Sequence, residues 1–301
     1  MKKLLIAGLI ACTSSFFAKI TIAQEVSLSG HHNHTELKAT DHAPLGVMGN
    51  HMHKKGEWML SYRFMRMHME DNRDGTDSLS PEEIATSFDN RFFGVTGQPP
   101  TLRVVPTEMT TNMHMIGAMY APTDWLTLMA MGHYIDREMD HITFQGGTGT
   151  TQLGEFTTKT SGWGDTRLSG LFHLYEDSKH TLHFNAGVSL PTGSITEEDD
   201  VLTPMNMRPR LRLPYAMQLG SGTFDLMPGI TYNGRQKNWH WGAQYNATFR
   251  LGENDEDYSL GDKHILTAWG AYNWLPSVST SLRMTTETES DIDGIDDEII
   301  A

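Results

Sequence analysis

Residues 181–190 read TLHFNAGVSL. Leu182, Phe184, Ala186, Val188 and Leu190 fall on one side of an extended chain. Thr181, His183, Asn185, Gly187 and Ser189 fall on the other. A period of two belongs to a strand, because a helix would spread these apolar residues round its whole circumference. The pattern recurs in WHWGAQYNATFR at 239–250, where Trp239, Trp241, Ala243, Tyr245, Ala247 and Phe249 alternate with His240, Gly242, Gln244, Asn246, Thr248 and Arg250. It recurs again in DTRLSGLFHLY at 165–175, where Leu168, Gly170, Phe172 and Leu174 oppose Arg167, Ser169 and His173.

Working outward, the same reading gives nine strands, near 57–69, 108–120, 125–139, 164–175, 181–190, 223–233, 239–250, 263–274 and 277–286. The connections alternate in length. APTD, EDSKH, GRQKN and LPS are short, whereas 70–107, 140–163, 191–222 and 251–262 are long. Short turns on one side and long loops on the other predict an all-β, antiparallel, up-and-down barrel of the outer membrane, its short turns periplasmic and its long loops extracellular. Tyr120, Trp125, Tyr175, Tyr232, Trp239 and Trp274 sit beside the short turns, where an aromatic girdle belongs. A soluble sandwich or lipocalin-like barrel would have the same period with its apolar face turned inward. Loop length and the mixing of charged with small residues on the polar faces favour the membrane form.

The N-terminus supports export. Lys2 and Lys3, the apolar run LLIAGLIAC and the small residues before Gln24 predict a signal peptide over 1–23, cleaved after Ala23. LIAC ending at Cys12 also fits a lipoprotein box. Cleavage would leave a cysteine-free chain, with no disulfide and no thiolate metal site. It would also remove three lysines and shift the net charge from -14 to -17, which argues against nucleic acid as a partner. No stretch beyond the signal reaches the ~18 apolar residues of a membrane helix, so outer-membrane lipid would be met by strands. The expected divisions are a His/Met-rich periplasmic leader at 24–56, the barrel at 57–286 and an acidic segment at 287–301. Because single-chain bacterial barrels have an even number of strands, an odd count with this acidic end predicts a chain that stops within an extracellular loop. SPEEI at 80–84 carries a capping box and predicts a short helix in the first long loop. The acidic runs near 70–83 and 291–298 resemble calcium loops but lack the full ligand spacing, and read as solvated loops.

Histidine and methionine are the residues with chemistry to offer. His31, His32, His34, His42, Met48, His51, Met52 and His53 lie in the leader. Imidazole suits copper and zinc, and thioether selects Cu(I), so copper is the metal these ligands fit. On the predicted strands, Met59, Arg63, Met65, Met67, Met129, Met131, His133, Arg167, His173, His183, Asn185, Gln244 and Arg250 fall on the polar, lumen-facing side. Methionine also serves as plain apolar filler, and the pattern alone does not separate filling from a ligand path. No nucleophile stands with a base and an orienting group, so no enzyme is expected. The function classes left are a transporter or channel for a small ligand, with copper as one cargo; an uptake route for small apolar or aromatic solutes; and a metal-binding surface protein without transport.

HAPLGVMGNHMHKKGEWMLSYRFMRMHM, VVPTEMTTNMHMIGAMYAPTDWLTLMAMG, GWGDTRLSGLF, SLPTGSI and LPYAMQLGSGTFDLMPGITY together resemble a group of proteobacterial outer-membrane proteins usually labelled transporters. That group is similar to the MetA-pathway of phenol degradation family. The resemblance covers most of residues 42–300. It implies a β-barrel of about twelve strands in a complete chain and a transport role, and it supplies no site residues.

Overall fold

The computed structural model describes residues 39, 43–44, 46–95 and 97–299. An antiparallel sheet curls into half a barrel. Its strands are β1 (Trp58–Glu70), β2 (Val104–Thr123), β3 (Leu126–Phe144), β4 (Gln152–Trp163), β5 (Thr166–Glu176), β6 (His180–Leu190), β7 (Asp225–Gln236), β8 (Trp239–Arg250), β9 (Lys263–Leu275) and β10 (Val278–Glu289). Strands β1, β2, β3, β5, β6, β7, β8, β9 and β10 follow one another across the sheet, and β4 joins beside β3. β3 pairs with β5 through Leu126–Met131 and with β4 through Tyr134–Phe144. β4 and β5 are therefore one stave broken at Gly164 and Asp165. Among the described residues β1 and β10 each have one neighbour in the sheet.

The register fixes two faces. The row Met59–Met119–Met129–Ser169–Gly187 runs across β1, β2, β3, β5 and β6 on one side. The row Trp58–Tyr120–Leu128–Gly170–Ala186 runs on the other. The second, convex face carries exposed apolar groups: Trp58, Leu60, Tyr62 and Phe64 on β1, then Ile116, Leu168, Phe184, Ile230 and Leu266 on later strands. The first, concave face buries Thr127, His183, Thr231, Gln244 and Thr267 beside methionines. A water-soluble sheet protein buries its apolar row and exposes its polar one. Here the order is reversed, as in a barrel that meets lipid with its outside.

The apolar band covers part of each strand. From Trp58 to Phe64 the chain rises about 20 Å, and the convex face then turns polar at Arg66, His68 and Glu70. On β3 the change comes after Tyr134, with Asp136, Glu138 and Asp140. Exposed aromatics mark the short-turn edge of the band, including Tyr120, Trp125, Tyr175, Trp239 and Trp274. A second belt marks its other edge. The Tyr62 hydroxyl meets His114 Nδ1 at 2.8 Å, that of Tyr245 meets His264 Nδ1 at 2.8 Å, and Tyr134 packs edge-on against Trp163.

Above that belt the structure departs from the sequence reading. The segment 140–163, expected as a loop, completes β3 and forms β4, with only 145–151 left between them. In β4 threonine stands on both faces: Thr158 and Thr160 are buried while Thr157 is exposed. A strand beyond the apolar band therefore has no hydropathy alternation to announce it. β2 and β3 are likewise longer than the expected 108–120 and 125–139.

The long loops are built rather than merely solvated. The expected helix is present at Pro81–Ser87, where Glu83 N donates to Ser80 Oγ and the Ser80 amide donates to Glu83. The Ser80 amide, and then the Ser80 hydroxyl, donate to the Glu83 carboxylate and hold it below the usual carboxylate range. Arg103, 2 % exposed, donates to the carbonyls of Ala85, Gln145, Gly146, Thr148 and Gly149 and so ties the first long loop to the 145–149 turn. The acidic segment after β10 also packs. Asp293 and Gly294 pair with Tyr258 and Ser259, and buried Asp296 bonds Arg212 at 3.0 Å. Burial there pushes the Tyr258 hydroxyl up to about 12.

Candidate functional site

The concave face is closed in from both ends. At the short-turn end, residues 46–53 form a strap along the wall. His183 Nε2 lies 2.8 Å from the Gly49 carbonyl. Asn233 Nδ2 donates to the Asn50 carbonyl at 2.8 Å, and Gln244 Nε2 to that of Met48 at 2.8 Å. The His53 amide donates to Thr127 Oγ1 at 3.0 Å, and the amide of Gly56 to the Ala121 carbonyl at 2.7 Å. Met52 packs against the buried cluster of Met59, Met119 and Leu171. Arg63 reaches Met48 Sδ at 2.6 Å, and the Arg283 guanidinium fills the space beside Gly46.

At the long-loop end the segment 191–224 folds inward. A two-strand ribbon, Glu198–Asp200 with Arg210–Arg212, leads into a 3₁₀ turn at Tyr215–Met217. Leu213 and Met217 pack on Met109 and Met139, with Met69 alongside. Arg137 donates to the carbonyls of Ala216 and Gln218, and Thr160 Oγ1 to that of Met217 at 2.9 Å. Asp165, buried at the break between β4 and β5, accepts from the Gly193 amide at 3.0 Å and from the Ser221 amide and hydroxyl, each at 2.8 Å.

The methionines form ordered rows. Met59, Met119 and Met129 are cross-strand partners near the short turns, and Met69, Met109 and Met139 are partners near the long loops. Each row packs against an inserted segment, the first against Met52 and the second against Leu213 and Met217. Between the rows lie Met65 opposite Met113, Arg63 opposite Met115, and Met67 opposite Thr111. Met131 and His133 are buried on the same face. The His133 ring lies over Gly164, where any side chain would collide with it.

The remaining expected residues divide between two levels. Arg167 and Arg250 share a transverse row with Ser189 and Asp225 in mid-wall, and Asp225 is ion-paired to Arg250. His173 and His183 are cross-strand partners nearer the short turns, and Asn185 stands opposite Leu171. A cavity of about 260 Å³ opens beside the strap, lined among others by His51, Met52, His173, His183 and His240. His31, His32, His34 and His42, and the expected signal peptide, lie outside the described residues.

Among the described residues, the one group of three His, Cys, Asp or Glu side chains with ligand atoms within 4.8 Å of one another is His68, Glu70 and Glu108. It is exposed on the polar rim of the convex face. Sequence reasoning missed it because its members meet across two strands. It missed the strap for a different reason: HAPLGVMGNHMH has no periodicity, and its backbone carbonyls are the groups that the wall binds. The short turn at 177–179 was placed by its length, and its chemistry is plain. Asp177 accepts from the amides of Lys179 and His180, each at 2.7 Å, and from the Tyr175 hydroxyl at 2.8 Å. These donors, led by the Lys179 amide, hold its carboxyl at about 2.

No curated protein matches the chain. The family described as "Putative MetA-pathway of phenol degradation" matches residues 103–271, over half of the chain from the approach to β2 into β9, and the chain belongs to that family.

Proposed function

We propose that this chain is an outer-membrane β-barrel protein that binds or passes a small ligand along its concave face, and that it is not an enzyme. The observation that carries the reading is the inverted polarity of the sheet. Tyr62, Ile116, Leu168 and Ile230 are exposed on the convex side, while His183, Thr231 and Gln244 are buried on the concave one. Lipid outside and a polar path inside account for both rows. In the proposed orientation the strap and the short turns face the periplasm and the inward-folded segment 191–224 faces the exterior. The methionine rows then narrow the path at each end.

The family description ties the group to phenol degradation, which favours a small organic solute as the ligand. Copper has weaker support. His51 and Met52 do share a cavity with His173, His183 and His240, but no three of these histidines bring their ligand atoms within 4.8 Å of one another. The copper reading therefore rests mainly on His31, His32, His34 and His42.

Two measurements test the proposal. Expressed in a Gram-negative host, the full chain is expected to sediment with the outer membrane and to migrate differently on gels before and after boiling. Recovery as a soluble protein without detergent would overturn it. Reconstituted in liposomes, the chain is expected to admit arabinose slowly, at the rate at which the two inserted segments open. Vesicles that stay arabinose-impermeable would exclude open passage and leave binding.

A further inference from the structure

The concave wall is basic in a chain whose net charge is -14. On the strands, the concave acids are Glu176, Asp225, Glu287 and Glu289; Glu176 lies 3.5 Å from His173 Nε2, and each of the others has a cation opposite it. Asp225 pairs with Arg250, and Glu287 and Glu289 pair with Lys263 at 2.7 and 3.4 Å. Arg63, Arg137, Arg167, Arg235 and Arg283 face the same side with no strand acid paired to them.

Arg167 differs from the rest. Arg63 touches Met48, Arg137 and Arg235 donate to backbone carbonyls, and Arg283 packs on the strap. Arg167 is open to the space inside the concave face but surrounded by protein on its other sides; among the described residues it makes no hydrogen bond or close ion pair, and its charge is felt by Asp165, Arg250 and Asp225 nearby. The neighbouring carboxylates are occupied by other donors. Asp165 is filled by Gly193 and Ser221. Asp225 is filled by Thr223 Oγ1 at 2.6 Å and by Arg250. The cross-strand partners of Arg167 are Met131 and Ser189. A guanidinium with its fork unengaged, beside a thioether and a hydroxyl, lies between the two inserted segments.

We propose that Arg167 is the recognition point for a small carboxylate with a short apolar body. The guanidinium fork matches a carboxylate in two parallel hydrogen bonds. Met131 offers the body a flexible apolar surface. The acidic loops at the mouth do not cancel this site, because solvated charges are screened over about 8 Å at physiological ionic strength; of the two buried carboxylates close to it, Asp225 is paired to Arg250 and Asp165 is held by three donors. The inference rests on the reading of the concave face as a ligand path, and narrows the ligand to anions.

The test uses the purified full chain in a nonionic detergent, titrated calorimetrically with butyrate, with its neutral isostere butyramide, and with chloride. Saturable binding of butyrate is expected, with at least tenfold weaker binding of butyramide and of chloride. Arg167→Gln should weaken butyrate at least tenfold. Arg167→Lys, which keeps the charge but loses the fork, should fall between. A shift on boiling, compared on gels, shows that each variant is folded; should Arg167→Gln fail it, the comparison of wild type with Arg167→Lys decides. Equal affinity for butyrate and butyramide, or an Arg167→Gln protein that binds butyrate as the wild type does, would overturn the proposal. Chloride binding as tight as butyrate would overturn its carboxylate part. The liposome result is independent: arabinose entry without butyrate binding refutes this inference alone, and butyrate binding without arabinose entry refutes passage alone.

Discussion

Both ends of the concave face are closed by inserted chain, and the two closures are held by different chemistry. The segment 191–224 is held by charge: the Arg137 guanidinium reaches two carbonyls, and the buried Asp165 carboxylate accepts three hydrogen bonds. The strap at 46–53 is held largely by neutral side chains, the amides of Asn233 and Gln244 and the ring of His183, each reaching one strap carbonyl. Hydrogen bonds to charged groups contribute about 1.5–3 kcal/mol, and neutral ones about 0.5–1.5. The long-loop closure is therefore expected to be the firmer, and the strap, although Arg63 reaches Met48 and Arg283 packs beside Gly46, is expected to open first.

The largest effect expected from this difference is at Asp165. Asp165→Ala leaves the Gly193 and Ser221 amides buried without an acceptor, and an unsatisfied buried amide costs about 1–3 kcal/mol. We expect a loss of about 3 kcal/mol in urea unfolding followed by tryptophan fluorescence in micelles. A loss no greater than that of a strap variant would erase the contrast between the two ends.

Gln244→Ala is the matching strap variant. It removes the bonds to the Met48 carbonyl and to Thr231 Oγ1, at 2.8 and 2.9 Å, and should cost about 1 kcal/mol. Hydrogen exchange should sharpen the comparison. Amides of residues 46–53 are expected to exchange well before those of 213–221, and Gln244→Ala should speed the first group alone. Uniform exchange over both segments would mean that the closures open together.

What the sequence discloses follows from the same physics. The staves are legible where one face meets an apolar environment, as at 181–190 and 239–250, because hydropathy then alternates. β4 was hidden because threonine serves both of its faces. The strap was hidden because its partners are amide side chains on distant strands binding its backbone. The concave placement of Arg167 could be read from DTRLSGLFHLY. That no hydrogen-bond acceptor is left for it could not, since that depends on Gly193 and Ser221 occupying Asp165. The capping box at Ser80 was legible because both of its bonds are local.

A smaller effect separates packing from thioether chemistry. Met139 is buried against Leu213 and Met217. Leucine is close to it in volume and apolarity, and such swaps cost less than about 1.5 kcal/mol. Met139→Leu is therefore expected to leave the unfolding midpoint nearly unchanged. A drop comparable to that of Asp165→Ala would show that the row depends on methionine's shape or its sulfur rather than on filled volume.

The smallest effect is at the opposite end, where a second aspartate accepts the same number of hydrogen bonds. Asp177 takes the amides of Lys179 and His180 and the Tyr175 hydroxyl. Unlike Asp165 it lies in an open turn, so water competes for every bond and the gain is small. The sign of its pH dependence is fixed by its carboxyl, held at about 2, against about 3.9 in an unfolded chain. A depressed value means that the folded state favours the ionised form. The stabilisation is fully present above pH ~3.9 and is lost as pH falls from there toward 2. Other carboxylates titrate equally in the wild type and in Asp177→Asn, so the difference between the two proteins isolates this group. The variant should unfold slightly earlier in urea at pH 7, keep the same deficit down to pH 4, and converge with the wild type near pH 2. A deficit that persists unchanged at pH 2 would assign the turn's stability to something other than the Asp177 carboxylate, and the contrast with Asp165 would then concern the loops themselves rather than where each aspartate is buried.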